Sequence, residues 1–295
     1  MTHRAPSLLL LALVFALGAL TLSACGAGES SSPMSLETQT TEPANYVVVC
    51  DVTQSTLEAR GEYVDGLAHV LEGLGYGDHL VVMSAEDSSV QNSELWIEEE
   101  LPRYVFTASP RPGTDNKLLL DAWKTKEQQR YEDGSAGFAA AHDVGAWREE
   151  ALQRVQRKVL GRVAAGTDLA GALYLAGQLL GTAPHSEERR LVLFTDGLIQ
   201  TPAVNWRGGA VTSRAVERLV SEQRRVGALP DLAGVKVILI GARADDEKRL
   251  AALRSAWRRY VSACGGVLEP GSFMSHLSET LYGEWLGEQE PQGGA

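Results

Sequence analysis

The chain has 295 residues, with 38 acidic against 27 basic side chains and a formal net charge of −11. This length fits one large domain or two small ones. The acidic balance argues against binding of nucleic acid and against electrostatic docking on anionic lipid. The three cysteines contain no C-x-x-C pair, so neither a redox dithiol nor a cysteine zinc site is indicated.

Residues 1–24 have the composition of an export signal. Arg4 provides a basic start, and the apolar run at 8–20 is too short for a membrane-spanning helix. The sequence LSAC at 22–25 resembles the lipobox of bacterial lipoproteins, which implies cleavage before Cys25 and acylation of that cysteine. The same resemblance implies a bacterial cell-envelope location, periplasmic or surface, with membrane contact through the N-terminal lipid only. An ordinary secretory signal with a chance cysteine is the alternative.

A flexible tether is predicted between this signal and the folded part of the chain. Residues 25–44 are rich in Gly, Ser, Thr, Glu and Pro and contain almost nothing to bury. The last residues, 287–295, are predicted to be disordered for the same reason. One folded domain is therefore predicted over residues 45–286.

The first elements of this domain alternate between strand and helix. The apolar, β-branched run YVVVC at 46–50 is typical of a strand that is buried on both faces. A helix is predicted within 57–77, where apolar residues share one stripe and glycines end it. Two further strands are predicted at 79–85 and 101–109, and the acidic run at 98–100 is interpreted as a solubilising turn.

The middle of the chain, 107–166, contains predicted helices, but its sequence assigns it no role. A helix is predicted at 118–130, and the sequence EDGSAG at 132–137 is expected to break it. A second, longer helix is predicted over 144–163 from its apolar spacing. The segment GTDLAGALYLAGQLLG at 166–181 is apolar nearly all round, so it is predicted to be a buried helix.

The remaining segments continue the alternation and end in a closing helix with Ser272 as its cap. They comprise predicted strands at 189–197, 235–242 and 266–270 and predicted helices at 211–227, 245–266 and 272–286. Strands separated by helices predict an α/β fold, with a doubly wound, mostly parallel sheet and helices on both faces. In such sheets, binding sites form at the carboxyl ends of the strands.

Three short polar segments fall at strand ends or helix starts. They are DVTQS at 51–55, GTD at 166–168 and TDG at 195–197. Together they offer carboxylates and hydroxyls at the predicted edge of the sheet. Hard oxygen ligands of this kind suit Mg²⁺, Mn²⁺ or Ca²⁺ rather than zinc or copper.

These segments, in this order and context, resemble the metal-ion-dependent adhesion site of von Willebrand factor type A domains. The resemblance covers nearly all of 45–286 and implies that five residues hold a divalent cation, with Mg²⁺ the first candidate: Asp51, Thr53, Ser55, Thr167 and Asp196. It further implies that hydroxyls bind the ion directly, that at least some carboxylates act through water, and that a partner's acidic residue completes the coordination. The implied function is divalent-cation-dependent protein binding. Position 53 departs from the more usual Ser, although Thr keeps the hydroxyl.

Two other functions could use the same fold or the same Asp51. A metal-independent structural subunit of an envelope complex would use the same fold without the ion. A Mg²⁺-dependent phosphohydrolase would use Asp51 as its nucleophile, but that class needs a second Asp at position 53, where this chain has Thr. The sequence therefore predicts a binding protein rather than an enzyme.

Three further features of the sequence give predictions that the structure can address. Trp206 and Arg207 follow Asp196 in a loop and are residue types enriched at binding hot spots, so they are candidate partner contacts. The alternative for Trp206 is packing beneath its own loop. An oxidising compartment would permit a disulfide between Cys50 and Cys264, but two buried thiols are the favoured prediction.

Overall fold

The computed structural model describes residues 43–184 and 188–275. The predicted export signal, Cys25, nearly all of the tether, the closing helix beyond position 275 and the terminal tail lie outside the described residues. Ala44, one residue before the predicted start of the folded domain, already belongs to the first strand and is buried. No helix within the described ranges has the length and apolar character needed to cross a membrane.

A six-stranded sheet forms the centre of the domain, in the order β3-β2-β1-β4-β5-β6. Every neighbouring pair is parallel except β2 and β3, which are antiparallel. The predicted α/β, doubly wound, mostly parallel sheet is therefore confirmed. The strands are β1 (Ala44–Asp51), β2 (His79–Ala85), β3 (Leu95–Glu100), β4 (Glu188–Phe194), β5 (Val235–Ile240) and β6 (Phe273–Met274).

Helices cover both faces of this sheet. The helices are α1 (Arg60–Glu72), α2 (Ser89–Asn92), α3 (Lys117–Ala141), α4 (Val144–Gly161), α5 (Leu169–Thr182), α6 (Ser213–Val226) and α7 (Glu247–Ala263). Val47 and Val49 of β1 join one apolar core with α5, α6 and α7. Val48 and Cys50 point the other way and join a second core with α1 and α4. Both faces of β1 are thus buried, which explains its continuous apolar run.

The strand order places β1 between β2 and β4. From β1 the chain builds outward first to one side, through β2 and β3, and then to the other, through β4, β5 and β6. A crevice forms at the carboxyl ends of the strands where the order reverses. Asp51 is the last residue of β1, and Asp196 comes two residues after the end of β4, so both stand at this crevice.

The third strand was predicted in the wrong place. Strand β3 covers Leu95–Glu100, and 101–116 contains no regular element. The acidic run at 98–100 belongs to the strand and is not a turn. The sequence is compatible with an edge strand because such a strand tolerates charged side chains, and Glu99 accepts hydrogen bonds from Arg154 (2.8 Å) and from the Trp147 indole.

The expected break at 132–137 was also wrong. Helix α3 runs without interruption over Lys117–Ala141. The ring of Tyr104 lies against Gly134, where an added Cβ would come within 2.0 Å of its hydroxyl. Packing of the preceding irregular segment against the helix therefore coincides with a glycine at which an added Cβ would displace the Tyr104 ring. Tertiary contacts of this kind override the low helix propensity of glycine.

The end of the described chain differs from the prediction as well. Val267 makes a single bridge with Lys236, and the last strand is β6 at Phe273–Met274. Ser272 ends a short 3₁₀ turn and does not cap a helix. The two cysteines agree with the favoured prediction, because Cys50 and Cys264 are both free and buried.

Helix α1 packs closely on β4 at Gly66, and this contact predicts the effect of a substitution there on stability. An added Cβ at Gly66 would lie 2.5 Å from the buried ring of Phe194, whereas Gly61 on the same helix has open space around it. We expect Gly66→Ala to lower the free energy of unfolding by about 1–3 kcal/mol through overpacking. Gly61→Ala is the matched control and should raise stability by up to about 1 kcal/mol. Urea denaturation measures both, and equal effects would contradict the predicted contact.

Candidate functional site

The five residues singled out in the sequence lie together at the carboxyl edge of the sheet. Asp51 ends β1, Thr53 and Ser55 follow it, Thr167 precedes α5, and Asp196 follows β4. Three separate loops therefore supply one cluster of oxygen atoms.

The carboxylate of Asp51 is the centre of this cluster. Its Oδ1 accepts hydrogen bonds from the backbone N–H of Thr53 (3.1 Å), from the Thr53 hydroxyl (2.7 Å) and from the Thr167 hydroxyl (3.3 Å). Its Oδ2 accepts from the hydroxyl of Thr195 (3.0 Å). Both carboxylate oxygens are thus satisfied, and the side chain is fixed in one orientation.

Ser55 connects this centre to the second carboxylate. The Ser55 hydroxyl donates to Asp196 Oδ2 at 2.8 Å, and it lies 3.2 Å from the Thr53 hydroxyl. The backbone N–H of Leu198 holds the other oxygen of Asp196 at 2.9 Å. A row of closely spaced oxygens therefore runs from Thr167 through Asp51, Thr53 and Ser55 to Asp196, in which the Thr53 and Ser55 hydroxyls each donate their single proton to a carboxylate.

Two of the three hydroxyl residues are more accessible than the carboxylates, whereas Thr53 is buried like them. Asp51 and Asp196 are buried, with 1% and 4% of their surface exposed, whereas Ser55 and Thr167 are partly exposed. A cleft of about 230 Å³ opens over the cluster, and its lining includes Thr53, Ser55 and Thr167. A small ligand entering this cleft would meet hydroxyl oxygens first and carboxylates beneath them.

The two carboxylates are electrostatically unfavourable neighbours. Burial raises the pKa of Asp51 above its ordinary value, and the negative charge of Asp196 raises it further, against the lowering effect of hydrogen bonds from Thr53 and Thr195. A bound cation between these groups would offset both causes, since it stabilises the ionised form. Hard oxygen donors of this kind fit a hard divalent cation.

Local structure holds each donor in place. The Thr56 hydroxyl donates to the carbonyl of Asp51 (2.8 Å), which closes the turn after β1. The carboxylate of Asp168 caps α5 through the N–H of Gly171 (2.8 Å), so Asp168 serves the helix and Thr167 remains available to the cleft. The N–H of Asp168 donates to the carbonyl of Glu86 (2.7 Å), which ties this loop to the end of β2.

Sequence reasoning missed two residues that support the site. Thr195 was inside one of the three polar segments but received no role, although its hydroxyl binds Asp51. Arg60 is almost fully buried in α1, and its guanidinium donates to the carbonyls of Thr53 (3.0 Å), Val159 (3.0 Å) and Arg162. No local pattern marks such an arginine, because its partners are backbone groups far away in sequence.

The structure corrects one of the two candidate partner contacts. Trp206 is completely buried and packs edge-on against Trp257, with ring centroids 6.1 Å apart, so it supports its own loop and offers no surface to a partner. Arg207 behaves differently. Its side chain is 43% exposed, and it donates to the Ser55 hydroxyl (2.8 Å) and to Asp196 Oδ2 (3.2 Å). Arg207 therefore belongs to the candidate site.

No group of three or more His, Cys, Asp or Glu side chains with a metal-binding arrangement occurs in 43–184 or 188–275. The candidate site differs from such a group because three of its five members are hydroxyl residues. Any ion held here would depend on Thr53, Ser55 and Thr167 as much as on the two carboxylates.

Comparison with known proteins gives similar structures but no sequence family. No family model matches the sequence, and no curated protein matches it either. Similar solved structures include a von Willebrand factor type A protein from Catenulispora acidiphila, which is 14% identical, covers 84% of this chain and 42% of that chain, and has a TM-score of 0.42. The open conformation of the pilus adhesin SpaC from Lactobacillus rhamnosus GG is 13% identical, covers 85% of this chain and 30% of that chain, and has a TM-score of 0.46.

A third similar structure is the manganese-loaded TRAP protein of Plasmodium vivax, at 11% identity, 85% and 73% coverage and a TM-score of 0.39. The chain thus spans less than half the length of the first two proteins. The family that the sequence resembles, von Willebrand factor type A, is found among these structures.

Proposed function

We propose that the protein is a divalent-cation-dependent protein-binding domain, held at a bacterial membrane by a lipid on Cys25. Asp51, Thr53, Ser55, Thr167 and Asp196 hold the ion, with Mg²⁺ the first candidate and Mn²⁺ or Ca²⁺ the alternatives. An exposed acidic residue of a partner protein completes the coordination. The cell envelope, on the periplasmic face or the outer surface, is the proposed location.

The row of oxygens at the sheet edge is the observation that carries this proposal. Three hydroxyls line or adjoin a cleft, and two buried carboxylates lie beneath them, joined by hydrogen bonds of 2.7–3.3 Å. A cation in the cleft would replace some of these hydrogen bonds with coordination to the same oxygens. It would also relieve the repulsion that raises the pKa of Asp51.

The chemistry of the partner follows from the charge balance of the site. Two carboxylates neutralise a divalent ion fully only if both are ionised and touch it. Where neutral hydroxyls take some of the coordination positions, the ion keeps part of its positive charge and attracts another anion. This would allow a chain of net charge −11 to bind an acidic side chain. Arg207 lines the same cleft and would place a second positive charge beside the partner's carboxylate.

The phosphohydrolase alternative receives less support from the geometry. A nucleophilic carboxylate needs an oxygen open to the substrate. Asp51 is 1% exposed, and each of its oxygens already accepts hydrogen bonds from neighbouring groups. Thr53, at the position where that class uses an acid, donates to Asp51. These observations favour ion binding over covalent catalysis at Asp51.

Calorimetric titration of the purified full-length protein with Mg²⁺ and Mn²⁺ tests the ion site. We expect one-site binding by the wild type and its loss in Thr167→Val, which keeps the shape of the side chain and removes the hydroxyl. Thr182→Val is the matched control, because Thr182 lies at the other end of α5 and its hydroxyl donates to carbonyls of its own helix.

The outcomes separate the candidate functions. Binding that survives Thr167→Val unchanged would contradict the assigned ligands. A folded wild type that binds neither ion, yet captures a partner in EDTA, would favour the metal-independent structural subunit. Ion-dependent capture of a peptide that carries a glutamate, lost when the glutamate is replaced by glutamine, would support the proposed acidic partner.

A further inference from the structure

Arg207 places a positive charge directly on the proposed ion ligands. Its Nη2 donates to the Ser55 hydroxyl at 2.8 Å and to Asp196 Oδ2 at 3.2 Å. These are two adjacent members of the five-residue cluster, and they also bond to each other at 2.8 Å. The guanidinium therefore uses the same oxygens that a divalent ion would require.

The backbone that carries Arg207 is firmly held. Arg249 of α7 donates to the carbonyls of Trp206 (2.7 Å) and Arg207 (2.6 Å). The buried ring of Trp206 packs on Trp257, and the backbone N–H of Trp206 donates to the carbonyl of Ile199 at 2.8 Å. The backbone at Trp206 and Arg207 is thus tied to the domain, whereas the Arg207 side chain is 43% exposed.

We propose that Arg207 is a tethered cation that occupies the ligands of the ion site and is displaced when a divalent ion binds. This inference rests on the proposed function, since it assumes that the ion uses Ser55 and Asp196. The residue then sets the ion affinity of the site: the free energy of its contacts must be given up before the ion can coordinate. Displacement leaves the guanidinium at the mouth of the cleft, beside the incoming carboxylate of the partner.

The contact has the geometry of an exchangeable pair. Asp196 is buried, but the Arg207 side chain is nearly half exposed, so solvent competes for it and the contact has a modest strength. If the guanidinium of Arg207 were fully buried against Asp196, it would prevent the ion from binding. If it were far from Asp196, it would not affect ion binding. Removal of the guanidinium is therefore expected to improve ion binding by about twofold to fivefold.

The test compares Arg207→Gln with the wild type in two measurements on the full-length protein. Calorimetry with Mn²⁺ should show about twofold to fivefold tighter binding by Arg207→Gln at low salt. The melting temperature of Arg207→Gln should be about 1–3 °C lower than that of the wild type in EDTA, and this difference should vanish in saturating Mn²⁺. The two effects report one free energy and must agree.

Arg225→Gln is the control for net charge. Arg225 lies at the end of α6, is exposed, and pairs with Glu222 three residues earlier, so its loss should change neither measurement at the ion site. Tighter ion binding by Arg207→Gln without a lower melting temperature in EDTA would mean long-range repulsion only, and would overturn the exchange.

Weaker or equal ion binding by Arg207→Gln would overturn it as well. If the wild type binds no ion and Arg207→Gln does, the exchange is supported directly. If neither binds, but the melting difference persists in EDTA and in Mn²⁺ alike, then the contact exists, the proposed ion site is absent and the exchange is wrong.

Discussion

Replacement of Arg60 by Met is expected to lower the free energy of unfolding by about 3 kcal/mol or more and to weaken ion binding about tenfold. Arg60 is 1% exposed and donates to backbone carbonyls of Thr53, Val159 and Arg162. Methionine fills a similar volume but removes the guanidinium donor from the carbonyls of Val159 and Arg162, whereas the Thr53 carbonyl still accepts from the N–H and the hydroxyl of Thr56. Each buried polar group that loses its partner costs about 1–3 kcal/mol.

The effect on ion binding follows from where Arg60 acts. Its contact with the Thr53 carbonyl joins the turn after β1 to the end of α4 and thus fixes the Thr53 hydroxyl beside Asp51. The guanidinium also attracts the Asp51 carboxylate electrostatically. Residues that orient metal ligands without touching the ion typically contribute about 10- to 100-fold in affinity.

Arg243→Met is the matched control for this substitution. Arg243 is partly exposed and pairs loosely with Glu58 and Glu62, at 3.8 and 3.6 Å, so its loss should cost less than about 1 kcal/mol. Guanidinium chloride denaturation measures stability, and calorimetry with Mg²⁺ measures ion binding. Equal effects of the two substitutions would show that the carbonyl contacts of Arg60 contribute nothing special.

The elements predicted well are those whose signal is local. Strand β2 covers the predicted residues 79–85, and β1 extends the predicted run at 46–50 by two residues before it and one after. Both are buried on two faces, so their apolar runs are unambiguous. The Asp residues after β1 and β4 were predicted at the sheet edge for the same reason, because a polar residue that ends such a run marks the end of the strand.

The elements predicted poorly depend on contacts that are distant in sequence. Strand β3 is an edge strand with three glutamates, which local patterning interprets as a turn. Helix α3 continues through a glycine-containing segment because Tyr104 packs on it. The burial of Trp206 depends on Trp257, which lies 51 residues further along the chain. Residue type alone does not distinguish a buried tryptophan from a surface one.

Replacement of Asp51 by Asn is expected to have opposite effects on stability and on ion binding. Metal-free protein should melt about 2–4 °C higher at neutral pH, because Asn removes a buried charge that faces Asp196. The amide can be accommodated, since the Thr195 hydroxyl at 3.0 Å can rotate to accept a hydrogen bond in place of donating one. Affinity for Mg²⁺ should fall by about 10- to 100-fold, because the remaining carboxylate must hold the ion alone.

The pH dependence gives this prediction a definite sign. Burial and the charge of Asp196 raise the folded-state pKa of Asp51 above its ordinary value of 3.8. The folded protein therefore holds this proton more tightly than the unfolded chain does. Protonation of Asp51 therefore stabilises the folded protein. This stabilisation is complete below pH 3.8, the ordinary pKa of the group, and is lost as the pH rises through the raised pKa. The melting advantage of Asp51→Asn should accordingly be small near about pH 4 and should grow toward about pH 7 in EDTA.

Asp65→Asn provides the control, because Asp65 is exposed on α1 and its neutralisation should leave both the melting temperature and ion binding nearly unchanged. Calorimetry measures Mg²⁺ binding by each variant, and thermal melting of each variant in EDTA and in Mg²⁺ measures its stability. A lower melting temperature of Asp51→Asn in EDTA at neutral pH would mean that hydrogen bonds from Thr53 and Thr195 outweigh the repulsion from Asp196. The predicted result would instead mean that two buried carboxylates cost stability in the metal-free protein, and that ion binding recovers this cost.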